Sequence, residues 1–473
     1  YVWPLLKDVL RDCTCIISGP HLEIAPHLPP LHLFGSFANA RHRMFMSATV
    51  TNDAFLVKGL GLTPDIITNP LVYKDEKWSG EKMILVPSLI HPSLDRDKIV
   101  KEFAKAVPKR KYGTVVLTPS FAKAEDWKKE GATVADKKTI NQDIDRLKSG
   151  NGVSTLAIAN RYDGIDLPDD ACRLLVMDSL PYSENLIDRW TENCRPGSDV
   201  VLTRVARTVE QGLGRAVRGE RDYCVVMLTG PDLVNAARTK KMQSFFSPQT
   251  RAQIDIGLEV AELAKEENEG ADPVSGMKRL ILQSLKRDEG WKAFYSGRMS
   301  EIAFGAADPK ALEIFAAEQM AELEFQNERP HEAVEAIQKL VDQHVNQPSE
   351  KAWYLQEMAR YTYLTSKTDS NELQINAHKQ NRYLLKPRQG MTVTAIAAVP
   401  QKRVERIVDW ARSFETSEEL LLAVEEILSR LRFGVQSDLF EGAVDELGIA
   451  LGFATQRPDK EWKEGPDNLW ALR

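Results

Sequence analysis

The 473-residue sequence lacks any apolar run that approaches the roughly 18–20 residues of a membrane-spanning helix, and no signal peptide is visible. Cysteine is scarce and odd in number, with five scattered residues. Cys13 and Cys15 have no second cysteine pair with which to complete a zinc site, so we interpret them as ordinary thiols. This cysteine usage is typical of a reducing compartment, and the sequence predicts a cytoplasmic protein without a membrane contact.

Positive charge is also in short supply, since the formal net charge is −6. The charge is unevenly distributed. Residues 1–250 contain 34 Lys+Arg and 30 Asp+Glu, whereas residues 251–473 contain 28 and 38. Any surface that faces nucleic-acid phosphates is therefore expected in the first half of the chain.

Short apolar runs alternate with polar, helix-like stretches between about residue 82 and residue 230. Runs such as "GTVVLTPS" and "CVVMLTG" do not alternate with polar residues, as is typical of strands buried on both faces. We therefore predict an α/β fold with a parallel sheet. The length suits about three domains. We predict these segments: 1–62, the end of a preceding α/β domain; 63–81, a linker; 82–240, the parallel-sheet domain; 241–400, a helical-repeat-like region; and 401–473, a helical segment that leads into a small, truncated α/β module.

Helical periodicity dominates after about residue 240. Residues 311–344 read as a helical hairpin that turns at "NERP", and residues 349–364 begin a second hairpin. The pattern is similar to tetratricopeptide repeats, although no strict 34-residue period fits both hairpins. We expect this region to be the contact for any protein partner.

The stretch "QGLGRAVR" places two glycines among polar residues. In a helix Gln211, Arg215 and Arg218 lie within an arc of roughly 60°. A solvated face explains the arginines, but it does not explain Gly212 and Gly214, each of which costs about 1 kcal/mol relative to alanine in a helix. Close approach of a backbone or a ligand explains the glycines better.

Two other short motifs precede this stretch. "MSAT" (46–49) ends a strand, and "ANRYDGIDLP" (159–168) follows one, at the edge of a parallel sheet where α/β proteins bind ligands. With "QGLGRAVR", they resemble motifs III, V and VI of superfamily 2 helicases, and the Gly-Ile-Asp form of motif V resembles the XPD and DinG type. The resemblance covers about residues 1–235.

The resemblance implies a second RecA-like motor domain whose motif VI faces ATP that is bound mainly by the first motor domain. Arg215 and Arg218 match the arginine fingers that contact the γ-phosphate, which contribute on the order of 10³–10⁵ in rate. Gln211 would add a hydrogen bond beside them. Gly164 and Asp166 match the motif V positions that help to hold the nucleotide.

The resemblance also implies a nucleic-acid partner, namely single-stranded or forked DNA. Motif III couples nucleotide state to strand binding through residues that match Ser47, Ala48 and Thr49. Arg161, Thr118 and Ser120 follow strands, as do the loops that hold the phosphates of a single strand in the family. For Thr118 and Ser120, ordinary loop capping is an equal alternative.

Several parts of a complete motor are missing from the sequence. The phosphate loop is absent, the dipeptide Gly-Lys does not occur, and no Asp-Glu pair follows an apolar strand to hold Mg²⁺. We therefore expect ATP and Mg²⁺ to be bound mainly by a preceding motor domain, and this chain alone not to hydrolyse ATP. The start at Tyr1, just before motif III, is interpreted as an N-terminal truncation. Asp163, where XPD-type proteins usually have glutamate, is a mild departure.

The last 35 residues carry a second resemblance. Glu441 on a helix and Asp467 before an apolar strand resemble the opening of a PD-(D/E)xK nuclease fold, in which paired carboxylates bind Mg²⁺. An acidic helix followed by a Gly-Pro turn is the alternative. The main hypothesis is the C-terminal part of an ATP-dependent DNA helicase. The alternatives are a non-catalytic nucleic-acid-binding or scaffolding module and a fragment of a helicase–nuclease fusion.

Overall fold

The structure is a computed structural model, and it describes most of the chain. The described residues are 3–46, 53–71, 78, 80–105, 107, 110–149, 155–162, 164–167, 169–183, 185–217, 219, 221–267, 272–302, 309–363, 365–387, 402–435, 437–459 and 465–472. Five residues that the sequence analysis singles out lie outside them: Ser47, Ala48, Thr49, Asp163 and Arg218.

A six-stranded parallel sheet is the centre of the fold. The strands of the described chain are β1 Cys13–Ser18, β2 His21–Pro26, β3 Glu81–Leu85, β4 Thr114–Thr118, β5 Thr133–Ala135, β6 Leu156–Ala159, β7 Leu174–Asp178, β8 Tyr223–Thr229, β9 Ala454–Gln456 and β10 Leu469–Ala471. The sheet has the order β3-β8-β7-β4-β6-β5, and each neighbouring pair is parallel. The predicted α/β fold with a parallel sheet is confirmed.

Helices cover both faces of this sheet. Up to residue 300 the helices of the described chain, whether or not they lie on the sheet, are α1 Trp3–Leu6, α2 Gly35–Ala38, α3 Phe55–Leu60, α4 Pro64–Thr68, α5 Pro87–Ile90, α6 Arg96–Phe103, α7 Phe121–Lys129, α8 Ile140–Lys148, α9 Leu186–Cys194, α10 Asp199–Leu213, α11 Pro231–Arg238, α12 Lys240–Gln243, α13 Pro248–Glu267, α14 Pro273–Leu285 and α15 Glu289–Ser300. Every residue of β3, β4, β6 and β7 is buried, which explains why their sequences show no alternation. No helix of the described ranges is both long enough and apolar enough to cross a bilayer.

Two core layers lie on opposite sides of the sheet. On one side Leu117 and Met177 belong to a cluster that includes residues of α10 and α11. On the other side Val116 and Val176 belong to a cluster that includes Trp127 of α7 and residues of α6 and α13. Adjacent strand residues thus point to opposite faces, as the two-residue repeat of a strand requires.

Consecutive antiparallel hairpins form the helical region. They are built from α16 Pro309–Gln326, α17 Pro330–His344, α18 Pro348–Thr362 and α19 Lys367–Gln380. The first hairpin turns between Gln326 and Pro330, at the "NERP" stretch.

A buried charge network joins this region to the sheet domain. Arg195, just after α9, is 3% exposed and donates hydrogen bonds to Glu350, Glu318 and the hydroxyl of Tyr354. Lys58 of α3 donates to the other oxygen of Glu318 at 2.9 Å. Burial of Glu318 disfavours its charged form, but Lys58 and Arg195 outweigh that cost and lower its pKa to about 2. The network therefore ties α3, α9 and the helical region together.

The N-terminal strands form an antiparallel hairpin of their own rather than extending the parallel sheet. This hairpin packs on α9, and the carboxylate of Glu23 accepts a hydrogen bond from the backbone N–H of Leu186 at 2.6 Å. The assignment of 1–62 to a preceding motor domain stays a prediction.

Where the structure describes it, the C-terminal module consists of three helices and a pair of short strands. The helices are α20 Arg403–Arg412, α21 Ser417–Arg430 and α22 Ser437–Ala450, and β9 pairs antiparallel with β10. The module contacts the sheet domain where α21 packs on α11, and Leu422 of α21 joins the core of the sheet domain.

The contact between α21 and α11 is expected to depend on pH. Burial, together with Asp232 and Glu446, raises the pKa of Glu426 from 4.5 to about 7, although Arg430 opposes the shift. Because the folded-state pKa lies above the unfolded one, this carboxyl favours folding at low pH, and the contribution is lost as pH rises through 7. Each unit of pKa shift corresponds to about 1.4 kcal/mol. We therefore expect the gain in stability of Glu426→Gln over the wild type to be about 1–3 kcal/mol larger at pH 8 than at pH 5.

Urea unfolding of the wild type and the variant at both pH values measures this difference. Glu425→Gln is the matched control, because Glu425 is adjacent in sequence and is exposed. An identical pH dependence in Glu426→Gln and the wild type would contradict the prediction.

Candidate functional site

Arg215 joins the stretch "ANRYDGIDLP", which resembles motif V, to the stretch "QGLGRAVR", which resembles motif VI. Helix α10 ends at Leu213, and Arg215 lies just beyond it. Its Nε donates a hydrogen bond to the carbonyl of Gln211, and its Nη1 donates to the carbonyl of Ile165, both at 2.9 Å. Two stretches that are about 50 residues apart in sequence are therefore brought together by one guanidinium group.

Gly212 allows α10 to approach the sheet closely. A Cβ atom at Gly212 would lie 2.9 Å from Cε of Met177 and 3.0 Å from Cδ1 of Tyr162. Tyr162, three residues after β6, and Met177 on β7 thus occupy the space that a larger residue would need. Gly214 has only backbone of its own helix near it, and nothing in the structure explains why it is glycine.

The motif V loop is open to solvent at its tip. Gly164 has a φ of +70° and no atom within 4 Å of a would-be Cβ, so the glycine is required by the backbone conformation. Asp166, two residues later, is exposed. This tip is adjacent in sequence to the carbonyl of Ile165 that Arg215 holds.

Helix α10 also contacts the helix that follows motif III. The guanidinium carbon of Arg207 lies 3.7 Å from the ring centroid of Phe55 in α3. Cation–π contacts of this kind contribute about 0.5–2 kcal/mol. Helix α10 therefore packs on α3 through Arg207 and on Tyr162 through Gly212.

The two hydroxyl residues after β4 serve the loop itself. Thr118 is buried, and its Oγ1 donates to the carbonyl of Ser120 at 3.1 Å. The Oγ of Ser120 accepts from the backbone N–H of Lys123, as an N-cap of α7 does. Arg161 is exposed, and it has no hydrogen bond or ion pair to any residue that the structure describes. The three predicted strand-binding residues thus differ, since only Arg161 presents a free polar group.

Sequence reasoning missed a buried carboxylate at the end of β7. Asp178 is fully buried and accepts from Arg96 Nε and Nη2 at 2.7 and 2.8 Å, and from Trp127 Nε1 at 2.7 Å. Burial disfavours the Arg96 cation, but Asp178 and then Asp126 outweigh this and raise the pKa of Arg96. An aspartate directly after four apolar residues was the available signal.

A family comparison matches the region built around these residues. The profile described as "Helicase C-terminal domain" covers residues 99–249. This chain contains a helicase C-terminal domain. A curated relative, the ATP-dependent DNA helicase YoaA of Haemophilus influenzae, is 31% identical over 87 residues, which are 17% of this chain and only 14% of the relative's length.

The helicase C-terminal domain includes β4 to β8 and the two stretches that resemble motifs V and VI. The range from 99 to 249 begins in α6 and ends at the start of α13. It excludes β3, which pairs with β8 at the edge of the same sheet. The predicted helicase relationship is confirmed for this part of the chain.

The possible metal ligands belong to other elements than the three motif stretches. Among the described residues, His27, Glu322 and Glu357 have ligand atoms within 4.8 Å of one another. Arg360 donates hydrogen bonds to both carboxylates, so a guanidinium already neutralises part of their charge. The cluster is an ion-pair network in this structure.

The two carboxylates of the nuclease hypothesis have different surroundings. Glu441 lies on α22 and forms an ion pair with Arg457, while Asn468 donates to its backbone carbonyl at 3.1 Å. Asp467 is exposed and directly precedes this asparagine. A cation at Glu441 would have to compete with Arg457.

Proposed function

We propose that the helicase C-terminal domain supplies the arginine half of an ATP site in an ATP-dependent DNA helicase or translocase. The phosphate loop and the Mg²⁺ ligands would lie on another motor domain. The observation that carries this proposal is the position of Arg215, whose guanidinium contacts the backbone of motif V and of motif VI at once.

The geometry of Arg215 suits phosphate recognition. Nε and Nη1 are used for the two carbonyls. The side chain is thus held in place, and no described residue accepts a hydrogen bond from Nη2. Donors that are fixed in advance stabilise developing charge without reorganisation when the reaction occurs. A γ-phosphate presented by a neighbouring domain is the partner that this arrangement fits.

Single-stranded or forked DNA is the proposed nucleic-acid partner. Exposed Arg161 follows β6 at the carboxyl edge of the sheet, where parallel α/β domains bind ligands. The first half of the chain has the excess of basic residues. The curated relative is named as a DNA helicase, which supports DNA over RNA.

Arg218→Ala in the intact protein tests the proposal. We expect DNA-stimulated ATP hydrolysis to be abolished while nucleotide binding stays close to normal, because an arginine finger acts on the charge of the transition state. Arg221→Ala is the matched control, since it removes an exposed arginine three residues further along. Turnover and the nucleotide Kd are the two measurements. Normal turnover in Arg218→Ala would overturn the assignment.

A further inference from the structure

Two aromatic rings are exposed at the carboxyl edge of the sheet. Phe121 is 51% exposed and Tyr182 is 45% exposed. Phe121 lies three residues after the end of β4, and Tyr182 lies four residues after the end of β7. Because β4 and β7 are parallel neighbours, with Leu117 opposite Met177, the two rings follow adjacent strands at the same edge. Exposed Arg161 follows β6, on the other side of β4.

A small polar cavity lies beside Tyr182. Its volume is about 220 Å³, which is enough for one nucleobase, and Asn160 and Asn185 are among the residues that line it. Amide groups offer both donors and acceptors to the edge of a base.

The charge of the cavity argues against a phosphate. Asp188 and Glu192 both line it, and one cation, Arg204, pairs with both carboxylates. The described residues of the wall therefore carry an excess of negative charge. An uncharged base is compatible with that wall, whereas a phosphate would be repelled.

The loops that present the rings are held in place. The backbone N–H of Asn160 donates to the carbonyl of Thr118 at 2.8 Å, which joins the loops after β6 and β4. The N–H of Leu180, two residues before Tyr182, donates to Asp232 at 3.0 Å. Ser120 caps the helix that begins with Phe121. Rings on fixed loops lose little conformational entropy when a ligand stacks on them.

We propose that two bases of a single DNA strand stack on Tyr182 and Phe121. The base on Tyr182 enters the cavity beside that ring, and Arg161 neutralises a phosphate of the same strand. This inference rests on the proposed function, because it assigns how the DNA strand is held. Stacking is tolerant of sequence, since every base has a π face. The strand is therefore gripped through its bases as well as through its phosphates.

The test compares a normal strand with an abasic one. A fluorescent oligothymidylate of about 12 nucleotides, within the usual range of single-strand sites, and an abasic strand of equal length are titrated with the full chain. We expect Tyr182→Ala and Phe121→Ala each to weaken binding of the normal strand by roughly 5- to 150-fold. Neither substitution should change the affinity for the abasic strand, which has the phosphates but no rings to stack.

Further variants separate stacking from charge. Tyr182→Phe keeps the ring and should retain near-normal affinity, and Tyr363→Ala removes an exposed ring in the helical region and should have no effect. Arg161→Ala should weaken the binding of both strands and reduce the slope of log K against log salt by about 0.7. The ring variants should leave this slope unchanged. Circular dichroism spectra identical to the wild type establish that the variants fold.

The outcomes distinguish this inference from the proposed function. Wild-type affinity for the normal strand in both Tyr182→Ala and Phe121→Ala would overturn the stacking inference while leaving DNA binding intact. Equal wild-type affinity for the normal and abasic strands would overturn it as well. A wild-type protein that binds neither strand would overturn the proposed DNA binding, and the inference with it.

Discussion

Arg215→Ala is expected to lower DNA-stimulated ATP turnover in the intact protein by about 10³-fold or more. Two effects add in this substitution. It removes the guanidinium group that we propose contacts the nucleotide, and it removes the two hydrogen bonds to the carbonyls of Ile165 and Gln211. The expected loss is mainly in kcat, because charge on the transferred phosphoryl group develops in the transition state.

A lysine at position 215 separates these two effects. Arg215→Lys keeps the positive charge, but an ammonium group cannot reproduce the planar fork that reaches both carbonyls. We therefore expect turnover between those of the wild type and Arg215→Ala. Steady-state kcat and KM, with thermal unfolding as a check on folding, are the measurements.

Two results would contradict this account of Arg215. Full activity in Arg215→Lys would show that charge alone is required and that the fork has no role. Unchanged turnover in Arg215→Ala would remove this residue from the ATP site altogether. Arg221→Ala again serves as the control for loss of a nearby exposed guanidinium.

The strands could be predicted from the sequence where their burial is uniform. Runs such as that of β4 contain only residues that are buried in the structure, so composition alone reveals them. The strand β5, Thr133–Ala135, was missed because it has three residues and lies at the edge of the sheet with partial burial. A short edge strand has too little apolar sequence to stand out from a loop.

The contacts between distant segments could not be predicted. Arg195 and Glu350 are 155 residues apart, and neither residue type indicates burial. Asp178 is similar, since its partner Arg96 lies 82 residues earlier. Charged residues are usually exposed, and only the fold shows which of them meet in the interior. The candidate site was easier to predict. Gly212, three residues before Arg215, is unfavourable in a helix, and its packing on Tyr162 explains why a glycine is there.

Arg96→Ala, which breaks the ion pair with Asp178, is expected to change stability more than Glu426→Gln. Arg96→Ala should lower the free energy of unfolding by about 3–5 kcal/mol, because it leaves the fully buried carboxylate of Asp178 without its guanidinium partner. Urea unfolding at pH 7 measures this loss. Lys128→Ala is the control, since its pair with Glu125 is exposed and should contribute less than about 1 kcal/mol.

A double variant decides whether the buried charge is the cause. Arg96→Ala with Asp178→Asn removes both charges, keeps the same loss of packing at position 96, and leaves Trp127 an amide oxygen as acceptor. If an uncompensated carboxylate is what destabilises Arg96→Ala, the double variant should be the more stable of the two. An equally unstable double variant would mean that lost packing, and not buried charge, accounts for the effect. Because Asp178 ends β7, four residues before Tyr182, the same variants report whether this buried pair also holds the loop that carries the exposed ring.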